Sequence, residues 1–170
     1  GSSFSIPGMS NIYDIAYSGD GNYVYYSSRN GDGVAVLQRA GDGSLSQTQV
    51  ISSESRYLCG VVNNLLKLCK ISTLDGAFAF DLSPDEKQLY VVSSNASAIT
   101  VLARNTLSGT LSYRQSFTRT IEGVDVLGGA GDVLASPDGK NVYVSTRIDS
   151  TVVVFTRDAA TGRLYFLRAY

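Results

Sequence analysis

The chain has 170 residues, with 14 Lys and Arg against 15 Asp and Glu, so its formal net charge is only −1. This balance excludes the strongly basic classes that bind nucleic acid or anionic membranes, and no apolar run approaches the roughly 20 residues of a membrane span. Charged residues make up only 17% of the chain while Gly and Tyr are frequent, which is typical of short strands joined by turns.

A short segment recurs three times and orders the whole chain. Residues 18–26, 83–91 and 136–144 have the sequences SGDGNYVYY, SPDEKQLYV and SPDGKNVYV. At fixed distances after the Asp of each copy stand residues of the same type, namely Tyr25, Tyr90 and Tyr143, and then Arg39, Arg104 and Arg157. Such a repeat predicts a row of similar structural units, each with its arginine in a structural role such as pairing with turn carboxylates.

The first repeat predicts four antiparallel strands over about residues 11–52. Alternating residues at 13–17 lead into a Gly-Asp-Gly turn, and strands follow at 22–28, 34–38 and 45–51. The connections are short and rich in Asn, Asp and Gly, as tight turns require.

A segment of about residues 53–75 separates the first repeat from the second. We expect it to be a projecting loop with a short helical turn, and it holds both cysteines, Cys59 and Cys69. An even cysteine count in a chain poor in Lys favours a disulfide and an oxidising compartment over two buried thiols. A bridge across ten residues closes a small loop, worth about 2–3 kcal/mol.

The second and third repeats give the same pattern over about residues 76–118 and 131–170, joined by an inter-repeat loop at about 119–130. Their third strands are nearly continuous apolar runs, which indicates burial on both faces of a sheet. Four-stranded units stacked face to face bury strands in this way in a β-propeller. A β-sandwich is the alternative, but it does not need three copies in register. The predicted fold class is therefore all-β, a propeller array of three four-stranded antiparallel blades in one domain.

Residues 136–144, followed by VVVFTRDAATGRL at 152–164, resemble the bacterial lactonase-type β-propeller repeat of 6-phosphogluconolactonases and carboxymuconate-cyclase-like proteins. The cysteine-bearing segment also resembles the loops between blades in secreted members. The resemblance implies a propeller, and it implies acid–base residues, often including His, in a central funnel. This chain contains no His, so a carboxylate or Arg would have to take that role.

Three blades do not close a ring, since propellers have typically 4–8 blades. We therefore expect either a dimer that closes a six-bladed ring, or a section of a longer propeller whose remaining blades lie elsewhere. Gly1 and Ser2 resemble a cloning scar, so a leader for secretion is expected to have been removed.

Candidate ligand-binding residues lie on the connections between second and third strands, which share a face with the inter-blade segments. They are Arg29, Asn30, Asn95, Arg147 and Asp149. Arg29 and Arg147 stand at matched positions and would bind an anionic group, although solvated turn residues are the commoner explanation. Asp14 and Asp132 are expected to line the channel, either to bind a cation or to cap backbone amides. The Asp-Gly turns lack the ligand spacing of a calcium loop, so no metal or other cofactor is predicted.

Three hypotheses for function follow from these residues. The first is a non-enzymatic scaffold, secreted, periplasmic or on the cell surface, that binds protein or carbohydrate through the loop-bearing face. The second is a lactonase-like hydrolase whose site forms only in the closed ring. The third is a designed or dissected repeat fragment. The absence of His favours the first.

Overall fold

The computed structural model describes residues 10–62 and 65–170, and Gly1 and Ser2 lie outside the described residues. Blade 1 consists of β1 (Ile12–Tyr17), β2 (Tyr23–Ser28), β3 (Gly33–Arg39) and β4 (Leu45–Ser52), paired antiparallel in that order. The predicted four-stranded unit is confirmed.

The segment between blades 1 and 2 differs from the predicted loop. It is an antiparallel hairpin of β5 (Arg56–Val62) and β6 (Leu65–Lys70), followed by a single 3₁₀ turn at Ser72–Leu74. The Cys59–Cys69 disulfide is confirmed and crosses the two strands, with 5.8 Å between the Cα atoms. The aromatic Tyr57 and the β-branched Val61 and Val62 favour a strand in the first half of the hairpin. Asn63 and Asn64 themselves lie outside the described residues.

Blade 2 consists of β7 (Ala77–Leu82), β8 (Gln88–Ser93), β9 (Ala98–Arg104) and β10 (Leu111–Phe117). It pairs in the same order as blade 1. The segment that follows contains a second small hairpin, β11 (Thr120–Ile121) and β12 (Val124–Asp125), where the sequence predicted only a loop.

Blade 3 consists of β13 (Ala130–Ala135), β14 (Asn141–Thr146), β15 (Val152–Arg157) and β16 (Leu164–Ala169). All three sheets carry a register shift early in the innermost strand and another in the outermost strand. Because β7 contacts both β1 and β13, these first strands lie together on the inner side of the row of blades, where a closed propeller has its channel.

The repeated Ser-x-Asp segment forms the turn between first and second strands. In blade 3 the Ser136 hydroxyl donates to Asp138 at 2.6 Å and accepts from the amide of Asn141 at 2.9 Å, and blades 1 and 2 repeat this arrangement. The following residue has a positive φ in every copy, which Gly21 and Gly139 supply without strain and Glu86 adopts at +56°. The turn therefore fixes register rather than forming a site.

Two apolar cores lie between the blades. One joins blades 1 and 2 around Tyr25, Val91 and Leu102, and it also takes in Leu74 from the 3₁₀ turn. The other joins blades 2 and 3 around Tyr90, Val144 and Phe155. Each second strand alternates its side chains between the two sides of its sheet, so the middle blade is covered on both faces.

Candidate functional site at the channel mouth

The connections between second and third strands meet the segments that enter the innermost strands. The amide of Arg29 donates to the carbonyl of Asn11, and the amide of Arg147 donates to that of Gly129. The amide of Gly76 donates to the Asp32 carboxylate at 2.8 Å. The structure thus brings the predicted residues of these connections to the face that carries the β5–β6 hairpin.

Two of the predicted binding residues are held by hydrogen bonds within this face. The Asn95 side-chain amide donates to the Asp75 carboxylate at 3.1 Å. The Asp149 carboxylate accepts from the Gly128 amide at 2.6 Å and from the Arg119 guanidinium at 3.1 Å. These contacts anchor the inter-blade segments.

Arg147 is placed differently from the other candidates. Its guanidinium is exposed and lies over the Phe78 ring of the preceding blade, 5.0 Å from the ring centre. Gly131 allows this crossing, because a Cβ there would come within 3.3 Å of the Arg147 stem. The Phe78 ring in turn packs against Tyr13 of blade 1, with 4.2 Å between ring centres. Three adjacent blades therefore contribute one row of two aromatic rings and a guanidinium at the channel mouth.

The equivalent of Arg147 in blade 1 is Arg29, which is half-buried, while Asn30 beside it is exposed. Arg29 lies at the same place in its blade, but no aromatic ring among the described residues lies under its guanidinium. Tyr13 and Phe78 were missed in the sequence, since aromatic residues on strands are more often packing residues. The sequence marks these two rings by a difference between the repeats, because blade 3 has Gly131 where blades 1 and 2 have Tyr13 and Phe78.

The innermost strands carry three carboxylates, Asp14, Asp81 and Asp132. Asp14 accepts from the Phe80 amide of blade 2 at 3.0 Å, so it caps a neighbouring backbone amide as one of the two predicted roles requires. Asp132 is exposed and accepts from the adjacent Val133 amide at 2.9 Å. The third, Asp81, accepts from the Ala135 amide of blade 3 at 2.8 Å.

Asp81 is the carboxylate that sequence reasoning missed, and its electrostatic setting sets it apart. Burial raises the pKa of the Asp81 carboxyl above its ordinary value. Backbone hydrogen bonds from Ala135 and Leu82 lower that pKa, and the nearby charges of Asp14 and Asp132 raise it further. It stands where the other copies have Ala16 and Leu134, so the copies differ here too. A raised carboxyl pKa makes Asp81 a stronger proton acceptor than an ordinary aspartate, which is a property of general bases.

Within residues 10–62 and 65–170, no group of three or more metal-ligating side chains converges on one point. No helix among the described residues is long and apolar enough to cross a membrane.

The hairpin beside the channel mouth, which the disulfide crosses, exposes four leucines: Leu58, Leu65, Leu66 and Leu68. At the base of the hairpin a cleft of about 320 Å³ opens between β4, β5 and β10. There the rings of Tyr57 and Tyr113 stack at 3.9 Å, which attaches the hairpin to blade 2.

A family model described as "Lactonase, 7-bladed beta-propeller" matches residues 69–170. The chain belongs to this lactonase-type propeller family. The match covers blades 2 and 3 together with the end of the hairpin, and blade 1 repeats the same turn and strand pattern. No curated protein matches the sequence significantly.

Solved structures of lactonase-type proteins share the fold. The periplasmic gluconolactonase PpgL of Pseudomonas aeruginosa superimposes with a TM-score of 0.74 at 22% identity, over 97% of this chain and 40% of that one. A candidate 6-phosphogluconolactonase of Bacteroides uniformis gives 0.72 at 19% identity, over 93% and 40%. A protein of unknown function from Desulfotomaculum acetoxidans gives 0.71 at 22%, over 99% and 44%. The chain thus spans less than half the length of these relatives, which corresponds to three blades of a seven-bladed ring.

Proposed function

We propose that this chain supplies three blades of a propeller that binds and hydrolyses the lactone of an anionic sugar acid at the channel mouth. The observation that carries the proposal is the exposed Arg147 guanidinium over Phe78, because Phe78 lies on the same inner strand, β7, as Asp81. Membership of the lactonase-type family supports it, as does the similarity of fold to a gluconolactonase. Closing the channel needs further blades, from a second copy or from a longer chain.

Each group has a chemical role in this proposal. Arg147 binds the phosphate or carboxylate of the substrate by charge-assisted hydrogen bonds, which its planar guanidinium makes in pairs. The Phe78 and Tyr13 rings hold the apolar face of the sugar. Residues 78 and 81 are separated by about 10 Å along an extended strand, which is about the length of a phosphorylated sugar acid. The substrate thus reaches from Arg147 to Asp81.

Asp81 replaces the missing His as general base. It takes a proton from a water molecule whose oxygen attacks the lactone carbonyl carbon, and a tetrahedral intermediate forms. The ring C–O bond then breaks, and the proton passes from Asp81 to the departing alkoxide, so that the open sugar acid is released. The raised pKa of Asp81 brings its proton affinity closer to that needed at neutral pH.

The test is binding of 6-phosphogluconate, the stable product, together with hydrolysis of its lactone. We expect Arg147→Gln to weaken 6-phosphogluconate binding at least about tenfold, since one charged contact is worth roughly 1.5–3 kcal/mol. Arg163→Gln is the matched control, because Arg163 is exposed in the turn that precedes the outer strand of the same blade. Asp81→Asn should abolish turnover and leave product binding intact. Equal binding by both arginine variants contradicts the proposal.

A second candidate is the non-enzymatic module that binds a protein or carbohydrate through the hairpin-bearing face. The exposed leucines of the disulfide-bonded hairpin favour it, because a rigid apolar projection suits recognition. Binding of 6-phosphogluconate without any turnover of the lactone would support this candidate over the hydrolase. In either case we place the protein outside the cytoplasm, in an oxidising compartment where the Cys59–Cys69 bond persists.

A further inference from the structure

The outer end of the β5–β6 hairpin is apolar on both of its faces. Leu65 and Leu66 are neighbours on β6, so their side chains point to opposite faces of the two-stranded sheet. Leu65 is 73% exposed and Leu66 is 70% exposed. They pair with Val62 and Val61 of β5, so the two outermost pairs of the described hairpin contain only aliphatic residues. We call Leu65 and Leu66 the leucine tip.

The charged residues of the hairpin are all basic, namely Arg56, Lys67 and Lys70. The whole chain has a net charge of −1, so without these three cations its net charge would be −4. The hairpin therefore carries a local positive charge on a chain that is otherwise acidic. An anionic surface attracts such a projection, because exposed charges act over a Debye length, roughly 8–10 Å at physiological salt, rather than over the whole molecule.

Lys67 stands directly below the leucine tip. It pairs with Gly60 as the third pair from the outer end, it is exposed, and it forms no ion pair with any described residue. Lys70 lies at the base, where it forms an ion pair with Glu54 at 2.6 Å. A strand rises by about 3.3 Å per residue, so Leu65 lies about 7 Å beyond Lys67. Amphipathic segments bound at a membrane interface bury their apolar groups to a similar depth, about 5–10 Å.

The base of the hairpin is attached to the blades, whereas the leucine tip extends into solvent. At the base the Tyr57 ring stacks on the Tyr113 ring of blade 2, with 3.9 Å between ring centres. The Cys59–Cys69 disulfide joins the two strands between the base and the tip. A two-stranded hairpin alone is only marginally stable in water, so these contacts keep its strands paired.

The blades of a closed ring do not add a neighbour at this tip. The hairpin emerges between blades 1 and 2, and both of these blades are present in the structure. Any further blade joins the row beyond blade 1 or beyond blade 3. Exposed apolar patches mark sites of interaction, so the occupant of the leucine tip is something other than a blade.

We propose that the leucine tip inserts into the headgroup region of a membrane that carries anionic lipids. Lipid surrounds an inserted segment, so it covers Leu65 and Leu66 on both faces at once, whereas a protein docked on a two-stranded sheet covers one face. The Lys67 stem lies along the apolar region, and its ammonium group stays among the anionic headgroups. This attachment does not rest on the lactonase activity proposed above.

The first measurement is flotation of the protein with lipid vesicles. We expect tighter binding to vesicles of phosphatidylcholine and phosphatidylglycerol in equal parts than to vesicles of phosphatidylcholine alone, and weaker binding as salt is raised. Leu65→Gln/Leu66→Gln should weaken binding to the mixed vesicles at least about tenfold, because it removes two apolar side chains from the lipid contact.

Leu107→Gln is the matched control and should leave binding to the mixed vesicles unchanged. Leu107 is 89% exposed in the turn between β9 and β10, at the opposite end of the blades from the hairpin. An equal loss in this variant would show that any exposed leucine contributes to binding, which contradicts a specific role of the leucine tip.

Lys67→Gln tests the charge separately from the apolar contact. We expect about fivefold weaker binding to the mixed vesicles, because one cation near an anionic surface contributes about that much, and no change with phosphatidylcholine alone. Arg163→Gln removes an exposed cation from the turn between β15 and β16, away from the hairpin, and should change neither.

A fluorescent reporter distinguishes insertion from adsorption. The chain contains no Trp, so Leu66→Trp creates a single indole at the leucine tip. We expect its emission to shift to shorter wavelength with the mixed vesicles and to be quenched by brominated lipid, because the indole enters an apolar environment. Leu107→Trp should show neither change.

Three outcomes would overturn the proposal. The first is no binding to either kind of vesicle, which leaves the leucines to a protein partner. The second is binding that Leu65→Gln/Leu66→Gln does not weaken, because another surface then meets the lipid. The third is association of the chain without lipid that the same double variant abolishes, since the leucines would then meet a second copy, and light scattering measures it. Circular dichroism confirms that each variant keeps its strands.

Discussion

In both interfaces between blades, an arginine at the same position of the repeat contacts the preceding blade, but the two arginines bind different groups. Between blades 2 and 3, Arg157 binds a carboxylate of the preceding blade directly. Between blades 1 and 2, Arg104 instead binds a tyrosine hydroxyl, and its acid, Glu86, comes from its own blade. The repeat therefore conserves the position of the arginine, while the neighbouring second strand decides what it binds.

The difference extends to the residues that surround each arginine. Blade 1 places Tyr23 where blade 2 has Gln88, so a ring rather than an amide covers the glycine of the next turn. Glu86 adopts a positive φ that glycine fills in the other two turns. This strain of about 1 kcal/mol is offset by the ion pair and the hydrogen bond that Glu86 forms. The comparison teaches that equivalent positions need not contribute equal stability.

The largest expected effect comes from removing the two arginines. Arg157→Met leaves the Asp85 carboxylate and Gln88 without their partner, so we expect a loss of about 3 kcal/mol in the free energy of unfolding. Arg104→Met should cost less, about 1–2 kcal/mol, because Tyr25 keeps the Gly109 carbonyl and Glu86 keeps the Gly19 amide. Urea unfolding at pH 7 measures both. Equal losses would show that the direct Arg157–Asp85 pair contributes no more stability than the contacts of Arg104.

The glycines of the third turns give the next effect. Gly109→Ala places a Cβ 2.4 Å from the Tyr23 ring at a φ of +68°, and we expect a loss of about 2–3 kcal/mol from overpacking and strain. Gly162→Ala meets the more flexible Gln88 side chain and should cost slightly less. Gly43→Ala is the control, because it has the same kind of φ but no neighbour, and only about 1 kcal/mol of strain applies. Thermal unfolding midpoints measure the loss of stability in the three variants. If Gly43→Ala lowered the midpoint as much as Gly109→Ala, the contact with Tyr23 would not be the cause of the loss.

A smaller effect separates the two buried tyrosines. Tyr25→Phe removes two hydrogen bonds, one of them to a guanidinium, so we expect a loss of about 1–2 kcal/mol. The Tyr90 hydroxyl is buried without a hydrogen-bond partner among the described residues, and burial raises its pKa to about 12. Tyr90→Phe should therefore change stability by less than about 0.5 kcal/mol or increase it. A loss for Tyr90→Phe as large as that for Tyr25→Phe would show that both hydroxyls are bonded in solution.

The smallest expected effect is the pH dependence of the stability that the interface between blades 2 and 3 contributes. Burial opposes ionisation of Asp85, but hydrogen bonds from Arg157 and Ser83 outweigh it and hold the pKa of that carboxyl below 3.8. Stability from this group is therefore fully present above the unfolded pKa of 3.8 and is lost as the pH falls through the lower folded value. Asp85→Asn should flatten the fall of the unfolding midpoint between about pH 4 and pH 2. Asp138→Asn is the control, because hydrogen bonds from Ser136 and from the Lys140 amide also lower the pKa of the Asp138 carboxyl, but no arginine binds it. We expect a smaller flattening there, and an equal one would show that the turn hydrogen bonds and not Arg157 are the cause.

Much of the fold was predictable because each blade is specified locally. The Ser-x-Asp turn, the apolar third strands and the turn glycines act within a few residues of one another, so their spacing alone predicts four strands per repeat. The hairpin at 56–70 was not predicted, since its leucines face solvent and do not show the alternation of a half-buried strand. Its disulfide was predicted from the cysteine count.

The candidate site was predictable only in part. The position of Arg147 on the hairpin-bearing face follows from propeller connectivity, but its contact with Phe78 crosses blades that are separated by many residues in the chain. The setting of Asp81 depends on Asp14 and Asp132 from two other blades, and no spacing within one repeat indicates that they approach. Asn95 and Asp149 were chosen by position, and only the structure shows what their side chains bind.

The sequence by itself determined the number of blades, their strand order and the turn that sets their register, because each depends on interactions within about 40 residues of chain. Only the tertiary structure decided which equivalent residues are buried. Tyr25, Tyr90 and Tyr143 occupy one position of one repeat, yet the first two are covered by a following blade and the third is not. The physical reason is that a blade buries its faces against neighbours, so the chemistry of each copy depends on what lies beside it.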